Sequence, residues 1–138
     1  MKSTRLMITA YIRKWPRTVY NLKDGNQPLE SVREKLRQKP GIYILYKSSG
    51  APYYVGKAQN LWIRIRKHAT NQNSKHYHQW THFSAFIVND IQSIKELEGL
   101  IIAAFDTAAV NSAKPRMKKI LLPKDAQKKL ATLSGNIA

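Results

Sequence analysis

Residues 41–57 read GIYILYKSSGAPYYVGK and predict a β-hairpin. Both arms, residues 41–47 and 53–57, are rich in β-branched and aromatic residues, which favour strands. The Ser49-Gly50 pair between the arms is a turn signal that joins two strands over a short distance. We therefore expect two adjacent antiparallel strands here.

The segments after the hairpin alternate between helical and strand patterns. Residues 60–69 predict a helix, with Asn60 as its N-cap. Residues 82–89, HFSAFIVN, predict a third strand, and residues 93–105, SIKELEGLIIAAF, predict a second strong helix. This order predicts an α+β domain with one core and a sheet that is antiparallel at least in its hairpin.

The two flanks of this region carry weaker signals. Residues 1–27 have strand-like content interrupted at Trp15-Pro16, which leaves an irregular arm or a short hairpin open. Residues 28–38 predict a short amphipathic helix with a basic outer face, and residues 124–133 predict another short helix. The predicted organisation is a basic N-terminal extension 1–40 with a short helix packing on the core, a core 41–112 and a basic tail 113–138.

Charge is the strongest compositional signal. The chain has 138 residues, 24 Lys plus Arg and 8 Asp plus Glu, which gives a formal net charge of +16. No Asp or Glu lies between Glu34 and Asp90. A surface without acids suits an extended polyanion, and nucleic acid fits best because bound cations release its counterions. An anionic membrane surface is the other candidate, and compositional drift is the alternative explanation.

Several classes of protein are excluded. The longest apolar run, Leu100–Phe105, is far shorter than the about 20 residues that span a membrane, and the first residues have no signal-peptide pattern. Zero cysteines exclude disulfides, cysteine zinc fingers and a thiol nucleophile. We expect a cytoplasmic protein with no membrane partner and no small-molecule cofactor, whose oligomeric state stays open.

Two polar side chains lie beside the apolar stripe of the helix at 60–69. Leu61 and Ile65 define the stripe, and Arg64 and His68 lie next to it on one face. This arrangement is typical of the wall of a site. The alternative is that Arg64 only extends its stem along the stripe.

Glu98 lies within the apolar face of the helix at 93–105. That face is formed by Ile94, Leu97, Ile101 and Phe105. A carboxylate in an apolar face is costly unless it pairs with a cation or binds a metal. Glu98 is therefore the leading metal-ligand candidate, and a structural Glu98–Arg64 ion pair is the alternative.

These residues together resemble the GIY-YIG nucleases. The resemblance starts from Gly41-Ile42-Tyr43 and, after ten intervening residues, Tyr54-Val55-Gly56-Lys57, with valine in the middle of the second triplet. It covers about half of the chain and continues through Asn60-Leu61, Arg64, His68, Leu97-Glu98, Ile101-Ile102 and Asn111.

The resemblance implies a three-stranded antiparallel sheet flanked by helices and metal-dependent hydrolysis of phosphodiester bonds, usually in DNA, with RNA left open. By position, Tyr43 would be the general base or position the attacking water, and Tyr54 would be the second tyrosine of the site. Arg64 would hold the scissile phosphate, His68 would assist proton movement, and Glu98 would bind one metal ion. A single carboxylate ligand suits one hydrated Mg²⁺ or Mn²⁺.

Four further positions would support the site. Gly41 and Gly56 belong to the two triplets, Lys57 matches a basic position after the second, and Asn111 would buttress the site unless it is only a turn residue. A tyrosine is a poor base at its usual pKa, so we expect Arg64, Lys57 and the metal to favour its phenolate form. The alternative for the tyrosines is that both are packed strand aromatics.

The loop from residue 70 to about 81 suits contact with nucleic acid. Cations supply phosphate contacts and aromatic rings supply stacking surfaces, and the expected residues are Arg66, Lys67, Lys75, Tyr77 and Trp80. The histidines His76, His78 and His82 have poor spacing for zinc. Some family members carry a functional histidine in this region, and the sequence leaves His76 and His78 both open.

The sequence thus predicts a small endonuclease acting on DNA. The main alternative is a non-catalytic nucleic-acid-binding module on the same fold, and an anionic-membrane binder is a third. The intact set of motif residues favours the nuclease.

Overall fold

The computed structural model describes residues 8–73, 76–88 and 118–135, and this part of the chain contains a five-stranded sheet with helices. The strands, in the spatial order β5-β4-β6-β1-β7, are β1 (Ile8–Pro16), β4 (Gly41–Tyr46), β5 (Pro52–Ala58), β6 (His82–Val88) and β7 (Lys118–Lys119). The short strands β2 (Lys23–Asp24) and β3 (Gln27–Pro28) form a separate hairpin. The helices are a 3₁₀ turn (Arg17–Asn21), α1 (Glu30–Leu36), α2 (Leu61–Thr70) and α3 (Lys124–Gly135).

The three strands expected from the sequence lie at the centre and one edge of the sheet. β4 pairs antiparallel with β5 on one side and with β6 on the other. All six residues of β4 are buried, as expected for a strand covered on both faces. Gly41 opens β4 at a close approach, since a Cβ there would overlap the carbonyl oxygen of Phe86. The predicted α+β fold with an antiparallel sheet is confirmed.

The N-terminal segment is more regular than its sequence suggested. Instead of an irregular arm or short hairpin, it contributes β1, which pairs antiparallel with β6, for example Tyr11 opposite Phe86. β7 then pairs in parallel with β1. Both pairings join residues that are far apart in the sequence, such as Tyr11 with Phe86 and Tyr11 with Lys119, and local sequence signals do not reveal them. The sheet therefore gains two strands beyond the expected three.

The core lies on the face of the sheet that carries Tyr43. The strands contribute alternate residues to it, and the first two α-helices cover them with the fully buried Val32 and Leu36 of α1 and Leu61 and Ile65 of α2. Asn60 caps α2 as predicted, because its side-chain oxygen accepts a hydrogen bond from the backbone N–H of Ile63 at 3.3 Å.

The C-terminal helix docks on this same layer. α3 buries Ala126, and the hydroxyl of Ser31 in α1 donates to the carboxylate of Asp125 at 2.7 Å. This confirms the short helix predicted at residues 124–133. The helix predicted at residues 93–105 lies outside the described residues. None of the described helices is long and apolar enough to cross a membrane.

Candidate active site

A buried hydrogen bond joins β4 to α2. The Tyr43 hydroxyl and Nε2 of His68 are 2.8 Å apart, and Tyr43 is only 1% exposed. His68 is half-buried, with its Nδ1 buried and without a hydrogen-bond partner among the described residues. The spacing along α2 brings this histidine over the sheet next to Ile65, on the face that the sequence indicated.

Gly56 makes room for the Tyr43 ring. The two residues are opposite each other in the β4–β5 ladder. A Cβ on Gly56 would overlap the end of the Tyr43 ring, including its hydroxyl. The ring therefore lies across the β5 backbone, and the hydroxyl is directed to α2.

Further aromatic rings surround this bond. The Tyr54 ring centroid lies 6.1 Å from that of Tyr43 and 5.9 Å from that of His68, and Tyr54 is 36% exposed. His76 packs against both Tyr54, at 4.5 Å, and His68, at 4.9 Å. Its Nδ1 lies 2.9 Å from the Tyr53 hydroxyl. We call Tyr43, Tyr53, Tyr54, His68 and His76 the tyrosine–histidine cluster.

Tyr53 was not anticipated from the sequence. Simple alternation would place Tyr53 and Tyr54 on opposite faces of β5. The register shifts between Leu45 and Tyr46, whose partners on β5 are Tyr54 and Pro52, so Tyr53 is the extra residue of a bulge. Because of this bulge, both tyrosine rings contact His76.

The structure distinguishes His76 from His78, the two candidates that the sequence offered for a functional histidine in this loop. His76 is 8% exposed and belongs to the cluster, whereas His78 is exposed and its ring contacts Tyr77. Within the described part of the chain, no three His, Cys, Asp or Glu side chains are placed to share a metal ion.

Burial keeps both partners of the central hydrogen bond neutral. Burial raises the pKa of the Tyr43 hydroxyl, nearby Tyr54 raises it further, and the Arg64 guanidinium opposes the shift. Burial also lowers the pKa of His68 from the ordinary 6.5 to about 4, assisted by His76 and Arg64. Among the described residues the expected phenolate form of Tyr43 is thus disfavoured, because burial outweighs the effect of Arg64.

The two cations expected near Tyr43 differ in position. Arg64 is exposed, one helical turn before His68, and close enough to affect the pKa of Tyr43. Lys57 is exposed and pairs with Ile42, so it lies on the opposite face of the sheet from Gly56 and Tyr43. The expectation that Lys57 lies close to Tyr43 and favours its phenolate form is therefore wrong.

Trp80 does not offer the stacking surface that we expected. It is 2% exposed and packs edge-on against Phe83 in the core, so the predicted base contact is wrong. Tyr77 is partly buried, and the Arg17 guanidinium covers its ring at 4.3 Å. Arg66 and Lys67 are exposed on α2, and Lys75 lies outside the described residues.

The described part of the site contains no carboxylate. Its donors are phenol oxygens and imidazole nitrogens, whereas Mg²⁺ and similar hard cations bind carboxylate oxygens and water. A divalent cation at this site therefore needs an acid from elsewhere in the chain. Glu98, which the sequence offered for this role, lies outside the described residues, as does Asn111.

The family of this protein follows from its sequence match. Residues 39–111, more than half of the chain, match the GIY-YIG catalytic domain. The match contains β4, β5, α2 and β6, which carry the tyrosine–histidine cluster. The chain belongs to the GIY-YIG family and contains a nuclease domain of this type.

The similar proteins are bacterial UvrC proteins. The UvrABC system protein C of Thermotoga sp. (strain RQ2) is 39% identical over 49 residues, and that of Petrotoga mobilis is 37% identical over 43 residues. These segments cover 33% and 31% of this chain but only 9% and 8% of those proteins. The solved N-terminal endonuclease domain of Thermotoga maritima UvrC, bound to its catalytic magnesium, is 26% identical with a TM-score of 0.43, over 57% of this chain and 94% of that domain.

Replacing Gly56 tests the close packing over β5. In Gly56→Ala the new Cβ displaces the Tyr43 ring, and we expect a loss of about 1–3 kcal/mol in the free energy of unfolding, as for other overpacked cores. Urea denaturation measures the loss. Lys57→Ala, at the exposed neighbouring position, is the control, and equal stabilities for the two variants would contradict the packing argument.

The lowered pKa of His68 predicts a pH-dependent stability. The unfolded chain takes up a proton near pH 6.5 and the folded chain only near 4, so the stabilisation is complete above pH 6.5 and is lost as the pH falls towards 4. Between pH 7.5 and 5, wild type should lose more unfolding free energy in urea titrations than His68→Gln. The exposed-site control His78→Gln should behave like wild type; identical pH dependence in His68→Gln would refute the shift.

Proposed function

We propose that this protein is a metal-dependent endonuclease that hydrolyses phosphodiester bonds in DNA. The observation that carries the proposal is the 2.8 Å hydrogen bond between Tyr43 and His68, with Arg64 one turn away on the same helix. These side chains provide a proton pathway and a cation at one place in a basic protein. Phosphodiester hydrolysis needs both functions.

The proton pathway operates without a stable phenolate. As the attacking water forms its bond to phosphorus, its proton passes to the Tyr43 oxygen while the Tyr43 hydroxyl proton passes to Nε2 of His68. Tyr43 ends as a neutral phenol and His68 as an imidazolium. The raised pKa of Tyr43 therefore does not prevent its action, because neutral His68 is the final acceptor.

Substrate binding increases the basicity of His68. Arg64 is one of the groups that lower the pKa of His68 in the free protein. Its exposed guanidinium suits the oxygens of the scissile phosphate, which it binds as a fork. An anionic phosphate beside Arg64 offsets its charge and favours the imidazolium form of His68, so the base becomes stronger when substrate is present.

A divalent cation completes the proposed site. We assign Glu98 as the carboxylate that holds one Mg²⁺ or Mn²⁺ and Asn111 as a supporting side chain, since the described donors supply no carboxylate. The magnesium of the Thermotoga maritima UvrC domain supports a divalent cation here. When bound, the cation would neutralise charge on the leaving 3′ oxygen.

The substrate surface combines the site with its basic surroundings. Arg66 and Lys67 are exposed on α2, and no acid occurs in the sequence from residue 35 to residue 89. We assign phosphate contacts to Arg66, Lys67 and Lys75, and a contact with the substrate to the partly buried Tyr77. The basic side chains of segments 1–40 and 113–138 extend this surface around the core 41–112. Such an enzyme would act on cytoplasmic DNA.

Cleavage of supercoiled plasmid tests the proposed activity. Wild type should nick the plasmid with Mg²⁺ or Mn²⁺, and EDTA should abolish nicking. Glu98→Gln should lower the rate at least about 100-fold, the order for losing electrostatic stabilisation of the transition state. Asp24→Asn, which neutralises an exposed acid at the end of β2, is the matched control and should cut like wild type.

Equal cutting by wild type and Glu98→Gln would contradict the proposal, because the nicking would then come from a contaminating nuclease. Salt-sensitive DNA binding without cleavage, across duplex, flap, junction and single-stranded DNA and RNA, would favour a non-catalytic binding module instead.

Substitutions of two arginines on α2, Arg64 and Arg66, test the proposed catalytic and binding roles separately. Arg64→Ala should lower kcat at saturating DNA by about 100-fold, because the guanidinium contacts the reacting phosphate. Arg66→Ala should raise KM with little change in kcat, because a flanking phosphate contact contributes equally to substrate and transition state. Steady-state cleavage of a short fluorescent duplex measures both constants, and the opposite assignment of the two effects would refute the role of Arg64.

A further inference from the structure

An arginine from outside the family-matched region holds the loop after α2. Arg17 begins the 3₁₀ turn that follows β1, and the match to the family starts only at residue 39. Its Nη1 donates to the carbonyl oxygens of Tyr77 and, at 3.3 Å, Trp80, while its Nη2 donates to that of Ala69 at 3.2 Å. One guanidinium thus joins the last turn of α2 to the far end of the loop.

Ring contacts and the backbone add to this attachment. The Arg17 guanidinium lies 4.3 Å from the Tyr77 ring centroid and 5.2 Å from that of Trp80, both within cation–π range. Its backbone N–H donates to the carbonyl of Thr81 at 2.8 Å. The loop is therefore fixed at its exit from α2 and at its entry to β6.

His76 lies between the two fixed ends of this loop. It immediately precedes Tyr77, and its carbonyl accepts a hydrogen bond from the backbone N–H of Gln79 at 3.1 Å within the turn. From this position its ring reaches Tyr53, Tyr54 and His68. A shift of the Tyr77 backbone would carry the His76 ring out of the tyrosine–histidine cluster.

We propose that Arg17 is a positioning residue for the active site: it fixes the loop that inserts His76 between Tyr54 and His68. The segment before the family-matched domain then completes the site and does more than enlarge the basic surface. This inference rests on the proposed nuclease function for its kinetic consequence, but the loop attachment is measurable without any activity.

The contacts require an arginine. A guanidinium presents five N–H donors in a rigid plane, which allows it to bind three carbonyls and stack on a ring at once. A lysine has the same charge but a single donor atom, so it cannot reach carbonyls at Ala69, Tyr77 and Trp80 together. Arg17→Lys therefore removes the attachment while it preserves the electrostatic attraction for DNA.

The kinetic test compares Arg17→Lys with His76→Ala. Displacing the His76 ring disturbs its neighbours Tyr54 and His68, and a misplacement of about 1 Å near the reacting groups costs up to about 100-fold. We therefore expect each variant to lower kcat by about 10- to 100-fold, with KM changed less than twofold. The double variant should be no slower than His76→Ala alone, because both changes act through one ring. Multiplicative losses, or wild-type kcat in Arg17→Lys, would overturn the inference.

Tyr20→Phe is the matched control on the same 3₁₀ turn. It removes the hydrogen bond from the Tyr20 hydroxyl to the Trp62 carbonyl, at 3.2 Å, and leaves the loop contacts in place. We expect it to lower stability without lowering kcat at a temperature where all variants are folded. A drop in kcat equal to that of Arg17→Lys would show a general stability effect and reject the positioning role.

Amide hydrogen exchange supplies the readout that is independent of cleavage. In Arg17→Lys, amides at residues 71–73 and 76–81 should exchange at least about 10-fold faster than in wild type, whereas those of β4 and β6 keep their protection. Unchanged loop exchange would overturn the inference. If wild type cut no substrate but the loop exchange rose as expected, the proposed function would fail and the loop attachment would stand.

Discussion

The Tyr43 ring occupies space that Gly56 leaves open, and the chemistry of the site depends on this contact. Because the ring crosses the β5 backbone, its hydroxyl is buried and reaches Nε2 of His68 on α2. Burial then raises the pKa of the phenol and lowers that of the imidazole. The missing side chain of Gly56 thus makes room for the Tyr43 ring, whose hydroxyl can then reach His68.

The proposed mechanism gives one task to the two buried neutral groups and another to the exposed cations of this protein, whose net charge is +16. The buried pair is suited to proton movement, since a neutral imidazole accepts a proton that a charged one cannot. The cations remain on the exposed side of α2, where an anionic backbone can reach them without first entering the core. In the proposed mechanism, phosphate binding uses the exposed side of α2 and proton transfer uses its buried side. Arg64 influences the pKa values of both Tyr43 and His68.

Local patterns in the sequence predicted β4, β5, α2 and β6 but not all of their contacts. The spacing of Leu61 and Ile65 indicated which face of α2 is buried, and Asn60 marked the start of that helix. The place of Tyr53 in the tyrosine–histidine cluster was not predicted, because a bulge breaks the alternation of side chains along β5. The strand-like content of residues 1–27 did not reveal the place of β1 in the sheet, because its pairing with β6 is a long-range interaction. Trp80 was misassigned because a tryptophan in a polar loop has the same sequence context whether it is buried or exposed.

The protonation state of His68 tests the central claim most directly. Long-range ¹H–¹⁵N NMR spectra of the imidazole distinguish a protonated nitrogen from an unprotonated one. At pH 6 we predict a neutral ring with the proton on Nδ1 and an unprotonated Nε2 that accepts from Tyr43, and a titration midpoint near 4. A ring protonated on both nitrogens at pH 6, with an ordinary midpoint near 6.5, would contradict the account.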